Sequence, residues 1–223
     1  MSGRVVVMAS IKGGVGKSTL AASLAVHWLQ AGRRVALLDT DPNATLTRWH
    51  GKASALAAAT MRTELDEHSV LAHIEDLRQE HDVVIVDCAG FGNQAMVFAI
   101  GGADLVLIPV MADEASVYEA MRTRKVVESA AAMARRTIPA YTVLTRVKRT
   151  SVARHTRAQL EALGANPLQG QLGDRTIFQE SSFHGSAPAD LAPSSLAAQE
   201  VRALAQELAE LRPQPSSGSL EDG

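Results

Sequence analysis

Five short runs rich in Val, Ile and Leu punctuate the chain: Arg4–Ser10, Arg34–Asp39, Asp82–Asp87, Asp104–Val110 and Pro139–Thr145. Apolar runs of this length, with little polar alternation, predict strands covered on both faces, as in a parallel sheet. Between them the period changes. Lys17–Ala31 places Leu20, Leu24 and Trp28 on one stripe and stops at Gly32, a residue suited to the C′ position of a helix. Helices are predicted likewise over Ser69–Glu80, Asn93–Gly101, Glu114–Arg135, Ser151–Leu163 and Ser194–Leu211. Alternating β and α elements predict an α/β fold, a doubly wound and mostly parallel sheet flanked by helices. Residues 1–212 read as one domain, and residues 213–223, all Pro, Ser, Gly and acid apart from Gln214 and Leu220, as a flexible polar tail. The stretch around Ala53–Glu64 shows no clear period, and no element is assigned to it.

Composition narrows the function classes. A chain of 223 residues with 46% apolar and 21% charged residues can bury a core and is not a disordered segment. Its single cysteine, Cys88, excludes a disulfide framework, a cysteine-built zinc site and a self-contained iron–sulfur cage. No run is long enough to span a bilayer, and the apolar run Val5–Ala9 is too short for a secretory leader, so a soluble, cytoplasmic protein is expected. A net charge of -2 gives no global attraction to nucleic acid, so any such binding requires a local patch.

The most informative residues follow the first strand: Lys12-Gly13-Gly14-Val15-Gly16-Lys17-Ser18-Thr19. Glycines let the backbone curl so that successive N–H groups face a polyphosphate, and a helix beginning near Lys17 adds its positive dipole end. In such a loop Lys17 reaches the β- and γ-phosphates and the Ser18 hydroxyl holds Mg²⁺. The strict phosphate-loop pattern has glycine where Ile11 stands, but the strand–loop–helix context supports the assignment. A polyphosphate with Mg²⁺ is therefore the expected ligand, which the resemblance below makes ATP, and the fold is expected to be a P-loop NTPase.

This box resembles the deviant Walker A motif of the ParA/MinD family of ATPases. Asp39-Thr40-Asp41-Pro42-Asn43 resembles the family's A′ box, Val83–Asp87 its Walker B strand, and Ala103–Val110 the strand before its nucleotide-side loop. Within the family, Thr45–Trp49 is most similar to the short ParA and ParF type of partition ATPase and to VirC1. The resemblance implies that Lys12 reaches across a dimer interface to the partner's phosphates, as a cation supplied in trans. It implies that Asp41 positions the attacking water and that Asp39 supports the Mg²⁺ shell. Asp87, ending a buried apolar strand, suits a water-mediated contact to Mg²⁺. Asp39 and Asp41 also fit a turn and helix N-cap pair before Pro42. Cys88 reads either as a redox thiol or as a small residue beside the phosphates, in a switch segment reaching Gly92. Two departures stand out, the absence of a frequent proline after Asp87 and Asn43 in place of a frequent glutamine.

Arg146, Lys148, Arg149, Arg154 and Arg157 lie in one stretch without an acid. They read either as a face that holds DNA phosphates or as an ordinary solvated helix surface. The resemblance implies the first, with non-specific DNA bound by an ATP homodimer and released on hydrolysis. It also implies a ParB-like or other cargo-linked activator, and a nucleoid-associated switch that partitions DNA or positions cargo. The alternatives are a MinD-like membrane cycle, or a positioner of a protein cluster or transfer complex. The closing helix carries Glu200, Glu207 and Glu210 on its polar side, and acid there opposes anionic lipid, so no membrane contact is expected.

Overall fold

The structure, a computed structural model, describes residues 3–52, 54–90, 94–148 and 150–211. Five strands fall where the apolar runs predicted them: β1 (Arg4–Met8), β2 (Val35–Asp39), β4 (Val83–Asp87), β5 (Leu105–Met111) and β6 (Ala140–Val147). Two more, β3 (Thr60–Thr63) and β7 (Pro167–Gly173), complete the sheet. Its order is β3-β2-β4-β1-β5-β6-β7, and every pairing is parallel. The expectation of a mostly parallel sheet thus sharpens to a wholly parallel one among the described residues.

The predicted helices form as α1 (Lys17–Gln30), α3 (Val70–Glu80), α4 (Gln94–Gly101), α5 (Glu114–Met133), α6 (Thr150–Ala162) and α9 (Leu196–Glu210). Three short ones add to them: α2 (Thr45–His50), α7 (Thr176–His184) and α8 (Pro188–Leu191). Successive strands leave the centre first towards β3 and then towards β7. The chain therefore changes its winding direction beside β1, and an open α/β sheet binds ligands at the carboxyl ends of strands at such a point.

Each face of the sheet is covered by its own apolar cluster. Val5, Val7, Val84, Val86, Val106 and Ile108 pack on one side under α3, α4 and α5. On the other side Val6, Met8, Leu37, Ile85 and Leu107 meet α1 and α9. Because neighbouring residues on one strand face opposite clusters, both must be apolar, which explains the unbroken runs.

Helix α9 also closes the β7 edge. Glu207 accepts hydrogen bonds from the backbone N–H groups of Gln169 (2.8 Å) and Gly170 (2.7 Å), and Glu200 accepts one from Gly173 (3.0 Å). Two carboxylates thus occupy donors that an edge strand leaves open. Gly170 is required for this close approach, since a Cβ there would stand 2.9 Å from Leu204 Cα. At the other end Arg4 donates to the carbonyls of Leu208 (2.7 Å) and Leu211 (3.1 Å), tying the first strand to the end of α9. The apolar stripe of Val201, Leu204 and Leu208 is buried on the sheet. Among the described residues no helix is long and apolar enough to cross a membrane. The predicted tail at residues 213–223 lies outside the described residues.

Candidate nucleotide site

The loop from β1 into α1 curls through Gly14 (φ 72°) and Gly16 (φ 97°), left-handed conformations in which a side chain would be strained. No side chain caps α1, so its first-turn N–H groups remain directed at the loop. Lys17 is buried, its ammonium 3.4 Å from the Ser10 carbonyl and 3.5 Å from that of Lys12. It therefore lies across the hollow that Gly13, Gly14, Val15, Gly16, Ser18 and Thr19 surround. Two distant elements hold the loop in place. The Thr145 hydroxyl on β6 donates to the Val15 carbonyl (2.8 Å), and the Ile11 N–H donates to Thr123 Oγ1 on α5 (3.1 Å).

Lys12 points elsewhere. Its ammonium is 2.7 Å from Ser116 Oγ and 3.4 Å from Asp113 Oδ1, at the start of α5. Asp113 is the N-cap of that helix and accepts from the Ser116 N–H (2.8 Å). Burial pushes the Asp113 carboxyl up, but hydrogen bonds from Ser116 and the charge of Lys12 outweigh it and hold the group below its ordinary range.

Three acids meet at the ends of β2 and β4. Asp39 and Asp87 are register partners, and Asp87 is also the partner of Met8 on β1. Asp39 is buried with both oxygens engaged. One accepts from the Asp41 N–H (3.1 Å), the other from Thr47 N and Thr47 Oγ1 (2.9 Å each). This arrangement makes Asp39 the brace of the turn leading into α2. Asp41 accepts from Asn43 N (2.8 Å) and Asn43 Nδ2 (3.0 Å), both through Oδ1. Its other oxygen has no hydrogen-bond partner among the described residues.

Asp87 is different. It is 1% exposed, and neither carboxylate oxygen has a hydrogen-bond partner among the described residues. Burial raises its carboxyl to about 7, against the pull of the nearby Ser18 hydroxyl and Lys17, with Asp39 and Asp41 pushing it higher still. Leaving a buried carboxylate without donors is costly unless a cation or its water shell completes it. Among the described residues no three His, Cys, Asp or Glu side chains gather as a metal site, so a cation beside Asp87 would take most of its shell from phosphate and water. Ser18 and Asp87 together fit a hard cation beside a polyphosphate.

Cys88 follows Asp87 into the core. It is fully buried, and burial pushes its thiol up to about 12, so it is neither a reactive thiol nor a surface beside the phosphates. Gly90 does approach the loop, since a Cβ there would lie 3.3 Å from the Ile11 carbonyl. Gly92 lies outside the described residues.

A cavity of about 410 Å³ opens beside Gly16 and Thr19. Its far wall carries Trp49 from α2, Arg146 from β6, and Phe178, Gln179 and Phe183 from α7. No motif in the sequence announces this wall. Three of the chain's eight Trp, Tyr and Phe residues gather there from two separate helices, a grouping with no local signal in the sequence.

The predicted basic stretch does not form one face. Arg157 turns inward, donating to the Gln169 carbonyl (3.1 Å) and to Gln171 Oε1 (3.0 Å). Lys148 pairs with Asp174 at 3.5 Å, Arg146 borders the cavity, and Arg154 is exposed. Arg149 lies outside the described residues. Inward rotation of Arg157 follows from its position beside Thr156 and Leu160, which are buried on the same helix.

A phosphate-binding loop at the switch point of a parallel sheet, with an orphaned acid at its side, defines a nucleotide-binding P-loop domain. Residues 6–189 match the family model of the CobQ/CobB/MinD/ParA nucleotide binding domain. Protein virC1 of Rhizobium rhizogenes is 31% identical over 190 residues, covering 82% of this chain and 81% of that protein. Protein ParA of Rhizobium radiobacter is 41% identical over 106 residues, 48% of each chain. An ATP complex of a Cyanothece McdA variant superposes with a TM-score of 0.77 at 18% identity, covering 95% of this chain and 98% of that one. The chain belongs to the ParA/MinD family, among the ParA and VirC1 type of partition ATPase.

Proposed function

We propose that this protein is an ATP-driven dimerisation switch that partitions DNA or positions a large cargo. The observation that carries this reading is the division of labour between two lysines of one phosphate loop. Lys17 lies across its own hollow, whereas Lys12 leaves it for the surface at the start of α5. A lysine so placed is available to a second copy's phosphates, where it would neutralise charge that builds up during phosphoryl transfer.

In this reading Gly13–Thr19 cradle the phosphates of ATP, and the cavity beside Gly16 and Thr19 takes the nucleoside. Ser18 and Asp87 hold Mg²⁺, Ser18 directly and Asp87 through water, while Asp39 acts one step back by fixing the A′ turn. Bound Mg²⁺ supplies charge neutralisation at the β- and γ-phosphates. Asp41, with one oxygen unengaged, orients the attacking water. ATP joins two copies, and slow hydrolysis separates them.

Non-specific DNA is the proposed partner of the ATP dimer, through Lys148 and Arg154, with Arg149 between them in sequence, while Arg146 stays with the nucleoside cavity. Two copies double any such patch, which lets a weakly acidic chain hold a polyanion. A cargo-linked partner of ParB-like type would trigger hydrolysis. A relative from Halothiobacillus neapolitanus named for maintenance of carboxysome distribution, 28% identical over 80% of this chain and 83% of that protein, supports positioning of a protein cargo as the second use of the same switch.

The test is co-sedimentation with random-sequence DNA and, in parallel, with anionic liposomes, each with ADP or ATP plus Mg²⁺ over a range of salt. Binding to DNA only with ATP, weakening as salt rises, is the expected result. Binding to liposomes without DNA would replace this reading with a membrane cycle. Binding to neither would remove DNA as the surface.

A further inference from the structure

The cavity beside the phosphate loop has an uneven supply of polar groups. Arg175 is held by Glu200 (2.6 Å), Asp174 pairs with Lys148, and the Thr145 hydroxyl is spent on Val15. Ser182 donates its hydroxyl to the Gln179 carbonyl at 2.6 Å. Arg146 is unengaged but can only donate. Thr19 lies at the phosphate-loop end of the cavity and Trp49 can only donate, which leaves on α7 the side-chain amide of Gln179, without a hydrogen bond among the described residues. It can both donate and accept.

Gln179 and Phe183 lie four residues apart on α7, so they share one helix face, and both line the cavity. Phe183 is 79% exposed, an unusual state for so large an apolar side chain. Its backbone is nevertheless fixed, because Lys52 donates to the carbonyls of Ser182 (3.2 Å) and Phe183 (2.7 Å). A ring held at a cavity mouth with nothing covering it presents a stacking surface for a flat ligand.

We propose that Gln179 is the specificity-determining residue for the base: its Oε1 accepts a hydrogen bond from the 6-amino group of adenine while the base lies against Phe183. This rests on the nucleotide-site reading above and names the residue that selects adenine within it. Arg146 cannot substitute, since the 6-amino group is itself a donor. Stacking on Phe183 is indifferent to base identity, so the discrimination belongs to Gln179.

The experiment compares equilibrium binding of ATP with that of purine riboside triphosphate, which lacks only the 6-amino group, by calorimetry with Mg²⁺ present. The unaltered protein should prefer ATP by about tenfold. Gln179→Ala should weaken ATP by that factor, leave the analogue unchanged and erase the preference. Gln179→Glu, which keeps an acceptor, should retain the preference even as its charge weakens both ligands together. Phe183→Ala should weaken both equally. A preference that survives Gln179→Ala, or that falls only with Arg146→Ala, would overturn the inference while leaving the nucleotide site intact. Failure of the unaltered protein to bind either ligand would overturn the nucleotide-site reading and this inference with it.

Discussion

The ammonium of Lys12 sits 2.7 Å from the hydroxyl of Ser116, a contact between the phosphate loop and the first turn of α5. Asp113, the cap of that turn, lies 3.4 Å from the same ammonium. The pair is partly exposed, so the ion pair alone contributes little to stability. Its importance is positional, because it keeps Lys12 clear of its own phosphate hollow. Lys12→Ala should therefore leave ATP binding within a few-fold of the unaltered protein and reduce hydrolysis at least about tenfold. Parallel binding and single-turnover assays check this; equal loss of both would place Lys12 inside its own site.

Lys17 should behave in the opposite way. Its ammonium lies across the loop carbonyls, where a bound phosphate would meet it. Lys17→Ala is expected to abolish measurable ATP binding while the protein remains folded by circular dichroism. Retained tight binding would remove the phosphate-loop assignment.

Asp87 makes stability depend on pH. Its folded carboxyl titrates near 7, above the ordinary value of 3.8. Below the ordinary value the group is protonated in both states, and its ionisation has no effect on stability. As pH rises through the unfolded value, the unfolded chain ionises first and the folded state loses relative stability, until the folded group also ionises near 7. Without nucleotide or Mg²⁺, the protein should be less stable at pH 8 than Asp87→Asn by roughly 2–4 kcal/mol, and equal to it near pH 4. Thermal melts of both proteins across this range check the sign. Mg²⁺ with ATP should narrow the gap at pH 8.

The Thr145 hydroxyl links β6 to the loop through the Val15 carbonyl, across 130 residues of sequence. Thr145→Val keeps the shape and removes the donor, leaving a buried carbonyl unpaired at a cost of about 1–3 kcal/mol. Loosened loop geometry should also weaken ATP binding. Denaturant unfolding and calorimetry report the two effects separately.

Gly185 ends α7 with φ 62°, and a Cβ there would stand 2.1 Å from the Trp49 carbonyl. Gly185→Ala should separate α2 from α7, lower the melting temperature by several degrees and weaken nucleotide binding through the displaced cavity wall. An unchanged melt would show that the junction adapts.

Much of this architecture was legible from the chain, and the missing parts share a physical cause. β1, β2, β4, β5 and β6 are covered by helices on both faces, so each announces itself as an apolar run. β3 is a four-residue edge strand, Thr60–Thr63, whose residues are exposed or half-buried, so it carries no such signal. β7 contains a proline, two glycines and two glutamines, and its place is set by pairing with β6 and by Glu200 and Glu207 of α9.

The phosphate loop was readable because its chemistry is local, spanning Lys12–Thr19. The cavity wall was not, since Trp49, Arg146 and Phe178 come together only through the sheet order. The same limit separated Arg157 from its basic neighbours. Charge is visible in sequence, but the carbonyl of Gln169 that holds its guanidinium inward is not.

The measurement that tests the switch most directly is the molar mass in solution, by size-exclusion chromatography with light scattering, in ADP and in ATP with Mg²⁺. The mass should equal one chain in ADP and two in ATP, with Lys17→Ala remaining at one chain in both. Asp41→Ala should hold the two-chain species long after the unaltered protein has returned to one. A mass that does not change with nucleotide would contradict the account.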